Sequence, residues 1–373
     1  MTTIFELPTP SFLVDLDKLE SNIKEMADTC RKNGKELWPM VKTHKSTAIA
    51  KMQQNYGSKG FLVGTIDEAE KLTENGFKEI MIAYPVASKE NIERILTLAQ
   101  KAHVILSFDG VEAAAKVEET CNRIGLSMDY LIIIDSGLHR FGVVPEKVLE
   151  LAEKLKSFTH LKFKGIATHP GHTYAKRNIE EIKAVAQEEV EALTTAANIL
   201  KKEGYSVDIV ATGSTPTAAF VVSSKIINIL RPGNYVFYDA IQVALGVSPL
   251  EKCALTVLAT VIAHPKEDLF IIDAGSKCFG LDKGAHGVSL INGYGIVKGY
   301  PELVVESLSE EVGKVKVTAP TDIKVGDKIE IIPNHACSTA NMTSYLVGHR
   351  KGIVEKVIPV DAREGTQNPL ALL

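Results

Sequence analysis

Along roughly its first two-thirds, the chain alternates short, near-continuous apolar runs with longer segments of helical spacing. The apolar runs fall at 37–43, 60–65, 79–84, 103–108, 130–136, 163–169, 209–214 and 226–231. Between them, 66–75, 88–100, 145–155 and 179–203 repeat apolar residues three and four positions apart. Uninterrupted apolar runs suit parallel strands buried on both faces, because neither face meets water. Eight such strands with intervening helices predict an α/β fold, a (β/α)8 TIM-like barrel over 11–240. An open doubly wound sheet competes, but no G-x-G-x-x-G follows the first run. After residue 242 the texture becomes alternating and β-branched, at 256–263, 269–272, 302–306, 314–317, 328–332 and 352–357. This predicts a mostly antiparallel β-domain over 241–373, joined by residues 1–10. No repeat or low-complexity linker separates the two, so they are expected to share a large interface.

Composition narrows the partners. The 373 residues are 45% hydrophobic and 24% charged, with net charge -4. That balance offers no general electrostatic footprint for nucleic acid or an anionic membrane. No apolar run is long enough to span a bilayer, and residues 1–8 lack the basic and apolar regions of a secretory signal. Cys30, Cys121, Cys253, Cys278 and Cys337 are odd in number and scattered. They argue against a disulfide framework and for a reducing cytoplasm. Small metabolites are the expected partners.

Polar chemistry gathers where the predicted strands end, as it does at the functional face of such barrels. The first run leads into Lys42-Thr43-His44-Lys45. A lysine at the mouth of a buried strand is desolvated, which favours the neutral amine able to form a Schiff base; read alone, Lys42 and Lys45 are equally well exposed loop residues. The fifth run ends in Asp135-Ser136-Gly137-Leu138-His139-Arg140, and the sixth in Thr168-His169-Pro170-Gly171-His172-Thr173-Tyr174. The seventh ends in Gly213-Ser214-Thr215-Pro216-Thr217 and the eighth in Arg231-Pro232-Gly233-Asn234-Tyr235. The last two read as halves of a phosphate cradle: glycines permit close backbone approach, hydroxyls donate, and successive N–H groups form an anion nest. Singly, each is an ordinary cap or turn. Lysine plus cradle implies pyridoxal 5′-phosphate, an aldehyde for the amine and a phosphate for the nest. Arg140 is placed to meet the cofactor's phenolate oxygen, and His169 either contacts its ring or is structural. A second centre lies in Pro333-Asn334-His335-Ala336-Cys337. On an extended segment His335 and Cys337 point the same way and supply good zinc donors; a buried structural cysteine beside a histidine is the alternative.

As a set, these motifs resemble the D-threonine aldolase/D-serine dehydratase family, from Thr9-Pro10-Ser11-Phe12 to Val360-Asp361-Ala362-Arg363. The resemblance implies a pyridoxal-phosphate enzyme with an alanine-racemase-like barrel (PLP fold type III) and a bound metal. It makes Lys42 the Schiff-base lysine and Arg140 the phenolate contact. Gly213, Ser214, Thr215, Gly233 and Asn234 hold the phosphate, and Tyr174, His169 and Arg231 join the cofactor-binding set. His335 and Cys337 bind zinc, or another divalent cation such as manganese. The implied substrate is a D-β-hydroxy amino acid, and the implied assembly a homodimer. H-x-C resembles the dehydratase branch, since aldolases of the family tend to carry an acidic second ligand. Aldolase, racemase and non-catalytic cofactor carrier remain the alternatives. The chain departs from the family pattern at Met40 and near Val312, where histidines are usual, and at Ile229, where an acidic residue is common.

Overall fold

Asp15 ends the first strand and caps the first helix, its carboxylate accepting from the Asp17 and Lys18 amides. The chain therefore passes from β1 (Ser11–Asp15) into α1 (Leu16–Lys32) without a loop. The computed structural model describes residues 2–284 and 289–363; residues 364–373 of the expected β-domain lie outside the described residues. The next elements are β2 (Glu36–Leu37), α2 (Thr47–Asn55), β3 (Phe61–Val63), α3 (Ile66–Glu74), β4 (Glu79–Ile82) and α4 (Lys89–Ala99). They are followed by β5 (His103–Phe108), α5 (Val111–Ile124), β6 (Met128–Ile133), α6 (Val148–Leu155), β7 (Leu161–Ala167) and α7 (Ile179–Lys202). Then come β8 (Ile209–Thr212), α8 (Ala218–Val221), β9 (Ile229–Leu230) and α9 (Ala240–Ala244).

The eight strands β2 to β9 form one parallel sheet in the order β2-β9-β8-β7-β6-β5-β4-β3. A bridge from Met40 to Leu62 connects the segment after β2 to β3, so the first and last strands of that order also meet. Every strand, or the segment just after it, sends a residue to one apolar cluster: Trp38 and Met40, Leu62, Met81, Ile105, Leu131, Ala167, Ala211 and Ile229. The other face packs against the helices through a second, larger cluster. Burial on both faces is the physical reason for the continuous apolar runs. Met40 and Ile229, two of the positions that depart from the family pattern, belong to the same inner cluster.

The remaining elements are β10 (Leu255–Lys266), β11 (Leu269–Ile272), α10 (Ser276–Phe279), β12 (Ile296–Val297), β13 (Leu303–Leu308) and β14 (Gly313–Val317). The chain continues with β15 (Lys328–Ile332), α11 (Ala336–Ala340), β16 (Tyr345–Arg350) and β17 (Ile353–Pro359). Their sheet runs β11-β14-β13-β12-β15-β10-β1-β16-β17. Residues 11–15, expected in the barrel, stand here instead. β1 pairs antiparallel with β10 and parallel with β16, which satisfies both of its edges. Its consecutive buried residues face two cores, Leu13 against Leu258 and Val347, and Val14 against Leu255 and Leu346. The Val14 cluster also contains Tyr235, Val236, Phe237, Ala336 and Ala340. It thus clamps α11 onto the loop that follows β9.

Candidate active site

The run 37–43 is not one strand. Trp38 and Met40 still donate to the Leu230 and Pro232 carbonyls, at 2.8 and 3.0 Å, but Pro39 has no N–H to contribute. The chain then tightens into a single 3-10 turn, Val41–Thr43. Val41 and Thr43 are buried, while Lys42 between them opens onto a cleft. The desolvated lysine expected from the sequence is therefore corrected: in this fold Lys42 is exposed at the cleft floor. Lys45 adopts a left-handed conformation, φ 44°, and pairs at 3.2 Å with the buried Glu68, whose other oxygen accepts from the Gly64 amide at 2.7 Å.

Opposite Lys42, the loops after β8 and β9 approach each other through backbone. At Gly213, φ is +124°, and an added Cβ would lie 3.2 Å from the Arg231 nitrogen. At Gly233 it would lie 2.8 Å from Thr43 Oγ1 and 3.1 Å from Met40 Cβ. Thr215 Oγ1 accepts from the Tyr235 amide at 3.0 Å and ties the two loops together. Ser214 Oγ sits 3.0 Å from Thr217 Oγ1 and 3.3 Å from Thr173 Oγ1. Two buried polar atoms here, Arg231 Nε and Asn234 Oδ1, have no hydrogen-bond partner. A cradle from which side chains are sterically excluded, with the unspent Arg231 Nε donor beside it, suits an anionic group.

His169 and Arg140 form the upper wall. Burial, reinforced by the charges of Lys42, Arg140 and Arg231, pushes the His169 imidazole down to about 3, so it is neutral at pH 7. The Arg140 guanidinium lies 5.9 Å above the Tyr84 ring and 5.2 Å above that of Phe141. Arg231 is buried, its Nη2 donating to the Thr168 carbonyl at 2.7 Å. Burial pulls it down to about 10, against the opposing pull of Glu189, and it stays charged. Burial raises the Tyr174 phenol, with the nearby Gln242 amide and Thr215 hydroxyl pulling the other way.

The fourth wall comes from the second sheet. The extended segment expected around His335 is instead the start of a helix: His335 is the N-cap of α11 and Cys337 lies in its first turn. The two side chains nonetheless meet. Burial opposes charge on both. The mutual attraction of thiolate and imidazolium prevails, holding His335 well above its ordinary value and Cys337 below its own. Asp282 Oδ2 fixes His335 Nδ1 at 2.8 Å and accepts from the Ser338 hydroxyl at 2.6 Å. Cys337 Sγ lies 3.3 Å from Thr43 Oγ1, so the metal-type pair touches the lysine turn directly. Among the described residues no three His, Cys, Asp or Glu side chains converge as a complete metal site. The pair fits a metal all the same: it offers a soft thiolate and an imidazole whose far nitrogen is held by a carboxylate.

All twelve residues singled out from the sequence line one cleft of about 200 Å³: Lys42, Arg140, His169, Tyr174, Gly213, Ser214, Thr215, Arg231, Gly233, Asn234, His335 and Cys337. The sequence reading missed Thr43, Tyr84, Asp239 and Ile241, which also line it, and Asp282 behind His335. Asp239 had a signal, since it lies four residues beyond the Arg231–Tyr235 motif; buried, it accepts from the Ala336 and Gln242 amides at 2.9 and 3.0 Å. Asp282 had none.

Comparison with known proteins agrees with this assembly. Residues 14–240 match the family described as alanine racemase, N-terminal domain, and residues 254–348 match a putative serine dehydratase domain. The chain is 32% identical to the D-serine dehydratase of Dictyostelium discoideum, over 95% of this chain and 97% of that protein. It superposes on the D-threonine aldolase of Filomicrobium marinum with TM-score 0.90 and 27% identity, covering 98% and 97% of the two chains. For the D-threo-3-hydroxyaspartate dehydratase of Delftia sp. HT23 the TM-score is 0.89 and the identity 30%, with 96% and 99% covered. With both sheets, the cleft and the relatives in agreement, this chain belongs to the D-threonine aldolase/D-serine dehydratase family of lyases, built on the alanine-racemase-like fold.

Proposed function

We propose that the protein is a pyridoxal-phosphate- and zinc-dependent dehydratase that converts D-serine or D-threonine into a 2-oxo acid and ammonia. The observation that carries this reading is the convergence of Lys42, the 213–215/233–234 cradle and the His335–Cys337 pair on one cleft. We read the eight parallel strands and the Met40–Leu62 bridge as a closed (β/α)8 barrel whose strand ends supply the cofactor site. The β-domain, from about residue 241, supplies the metal pair.

Lys42 would hold the cofactor covalently, and Gly213, Ser214, Thr215, Gly233 and Asn234 its phosphate. Pyridoxal phosphate supplies an electron sink that acidifies Cα of an attached amino acid. His335 and Cys337 would hold a zinc ion, which would supply a Lewis acid for the β-hydroxyl. Lys42, free to move in the cleft, takes the Cα proton. His169, neutral, offers a flat apolar face without competing for charge, and Arg140 donates toward the phenolate oxygen. That a cysteine variant of a D-threo-3-hydroxyaspartate dehydratase has a metal-free form supports a metal role in the family. Homodimerisation and a cytoplasmic setting belong to the same proposal.

A second reading has specific support, since relatives of comparable similarity include a 3-hydroxy-D-aspartate aldolase of Paracoccus denitrificans, 30% identical over 96% of this chain. Aldol cleavage needs the same lysine and cradle but removes the hydroxyl proton and breaks Cα–Cβ, giving glycine and an aldehyde. Incubation with D-serine and D-threonine, with separate assays for pyruvate, 2-oxobutanoate, glycine and acetaldehyde, distinguishes the two. We expect 2-oxo acid and ammonia; glycine with acetaldehyde alone removes the dehydratase reading.

A further inference from the structure

Helix α7 presents an inward stripe of Ile182, Val185, Ala186, Leu193, Ala196, Ala197 and Leu200, and one member of the stripe is a carboxylic acid, Glu189. A buried charge in such a position is costly unless something uses or neutralises it. Glu189 is fully buried, and its Oε1 accepts from the Thr212 hydroxyl. The Thr217 hydroxyl and the Gly213 amide also face the carboxyl, yet Oε2 holds no aligned hydrogen bond. Thr217 in turn exchanges three contacts with Ser214: hydroxyl to hydroxyl at 3.0 Å, and each hydroxyl with the other's amide at 3.3 Å. A chain of hydroxyls thus runs from a hidden acid to the cleft.

We propose that Glu189 is a positioning residue of the anion cradle, and that the proton it carries sets which way the Ser214 hydroxyl points. The inference rests on the reading of 213–215 and 233–234 as that cradle. Each hydroxyl has one proton to give. With Glu189 ionised, its carboxylate only accepts, so Thr217 donates to it and Ser214 donates inward to Thr217. With Glu189 protonated, the acid donates to Thr217, Thr217 donates to Ser214, and the Ser214 proton is released toward the cleft. Thr173 gives its own proton to the Pro170 carbonyl, so it does not compete with Thr217 as a donor to Ser214, and at 3.3 Å its neutral oxygen is a weaker acceptor for the Ser214 proton than an anion in the cleft. Neutral Glu189 also spares a bound anion the repulsion of a carboxylate behind the loop. Both effects have the same sign: anion binding and protonation of Glu189 favour each other.

The surroundings put this exchange in an accessible range. Burial pushes Glu189 up to about 7, opposed by the Thr212 and Thr217 hydroxyls, by Arg231 and by the Gly213 amide. Among the described residues Arg231 is the charged group that faces it, and Arg231 keeps its charge below about 10. His169, which shares the Gly213 backbone, titrates near 3 and is silent at neutral pH.

The test uses the full chain freed of bound aldehyde by hydroxylamine, with sulfate as probe, because sulfate remains a dianion throughout. Calorimetric titration at pH 6 to 8.5, in buffers of different ionisation enthalpy, counts protons taken up per sulfate. We expect uptake rising toward one proton above pH 7 and affinity falling by up to about tenfold per pH unit there. Glu189→Gln carries a permanent donor, so its affinity is expected to stay flat and to exceed wild type at pH 8.5. Binding without proton uptake in wild type, or the same pH slope in E189Q, overturns the role of Glu189 while leaving the cradle. Absence of sulfate binding at every pH overturns the cradle and this inference together.

Discussion

The two facing rims of the cleft are built by different physics. The cradle rim is made of backbone: a Cβ at Gly213 would crowd the Arg231 nitrogen of the neighbouring loop, and one at Gly233 would collide with Thr43 of the lysine turn. The His335–Cys337 rim is made of side chains from one turn of a short helix, held by the Asp282 carboxylate and the neighbouring Thr43 hydroxyl. Geometry set by backbone is sensitive to volume and tolerant of charge. Geometry set by side-chain charge is the reverse. Lys42 lies between the two, on a turn that touches both.

The most severe break removes that shared element. Lys42→Ala is expected to lower turnover by about 10³-fold or more, the scale of losing a positioned base. Far-UV circular dichroism should stay unchanged, and the borohydride-sensitive yellow absorbance should disappear. Retained activity with that absorbance intact would remove Lys42 from the chemistry.

Dialysis against a chelator should affect only the charge-built rim. We expect about a 10²-fold loss of turnover, restored by zinc, with cofactor absorbance unmoved. Full activity in protein shown by elemental analysis to be metal-free would sink the role given to His335 and Cys337. A finer probe of the same rim is Asp282→Asn, which keeps volume and removes the charge behind the imidazole. Metal affinity should fall by about 10- to 100-fold, read by competition with a coloured chelator, whereas the cradle should bind sulfate as before.

The backbone rim is sharpened by Gly233→Ala. The new methyl meets Thr43 Oγ1 at 2.8 Å, an overpacking of about 1–3 kcal/mol. Cofactor affinity is expected to drop roughly tenfold in a fluorescence titration, with a much smaller loss of zinc, which feels the change only through Thr43. Equal damage to both ligands would mean that the rims are not separable.

The smallest effect is on folding. His44, fully buried beneath the lysine turn, is pushed down to about 4 by burial, although Gln53 and Asp361 pull the other way. A group held neutral in the fold stabilises fully above its unfolded value, near 6.5, and loses that contribution as pH falls toward 4. The loss is on the order of 3 kcal/mol. Urea midpoints measured at pH 7 and pH 4.5 should show it in wild type and much less of it in His44→Asn.

Much of this architecture was legible in the residue order, and the exceptions are instructive. The apolar runs announced parallel strands because both faces of that sheet are buried, which leaves a one-dimensional record. Glycine and hydroxyl motifs announced the cradle because its geometry is local. The boundary expected at residue 11 falls too early, because no local feature of Ser11–Asp15 says which sheet it joins. Only its partners β10 and β16, more than 200 residues away, reveal where it pairs. Glu189 left a trace as an acid inside an apolar stripe, whereas Asp282 left none, since its partner His335 is distant in the chain and near only in space.

The residue order by itself determined which local conformations were affordable: where backbone could turn tightly, where a strand had to be dry, and which side chains could bind an aldehyde, an anion or a metal. The tertiary structure alone decided that these groups share one cavity, that Lys42 is open to it rather than buried, and that a helix start delivers the thiolate to the lysine turn. The physical reason is that local propensity acts over a few bonds. Burial, Coulomb attraction and cavity shape act between atoms whose sequence separation carries no information about their distance.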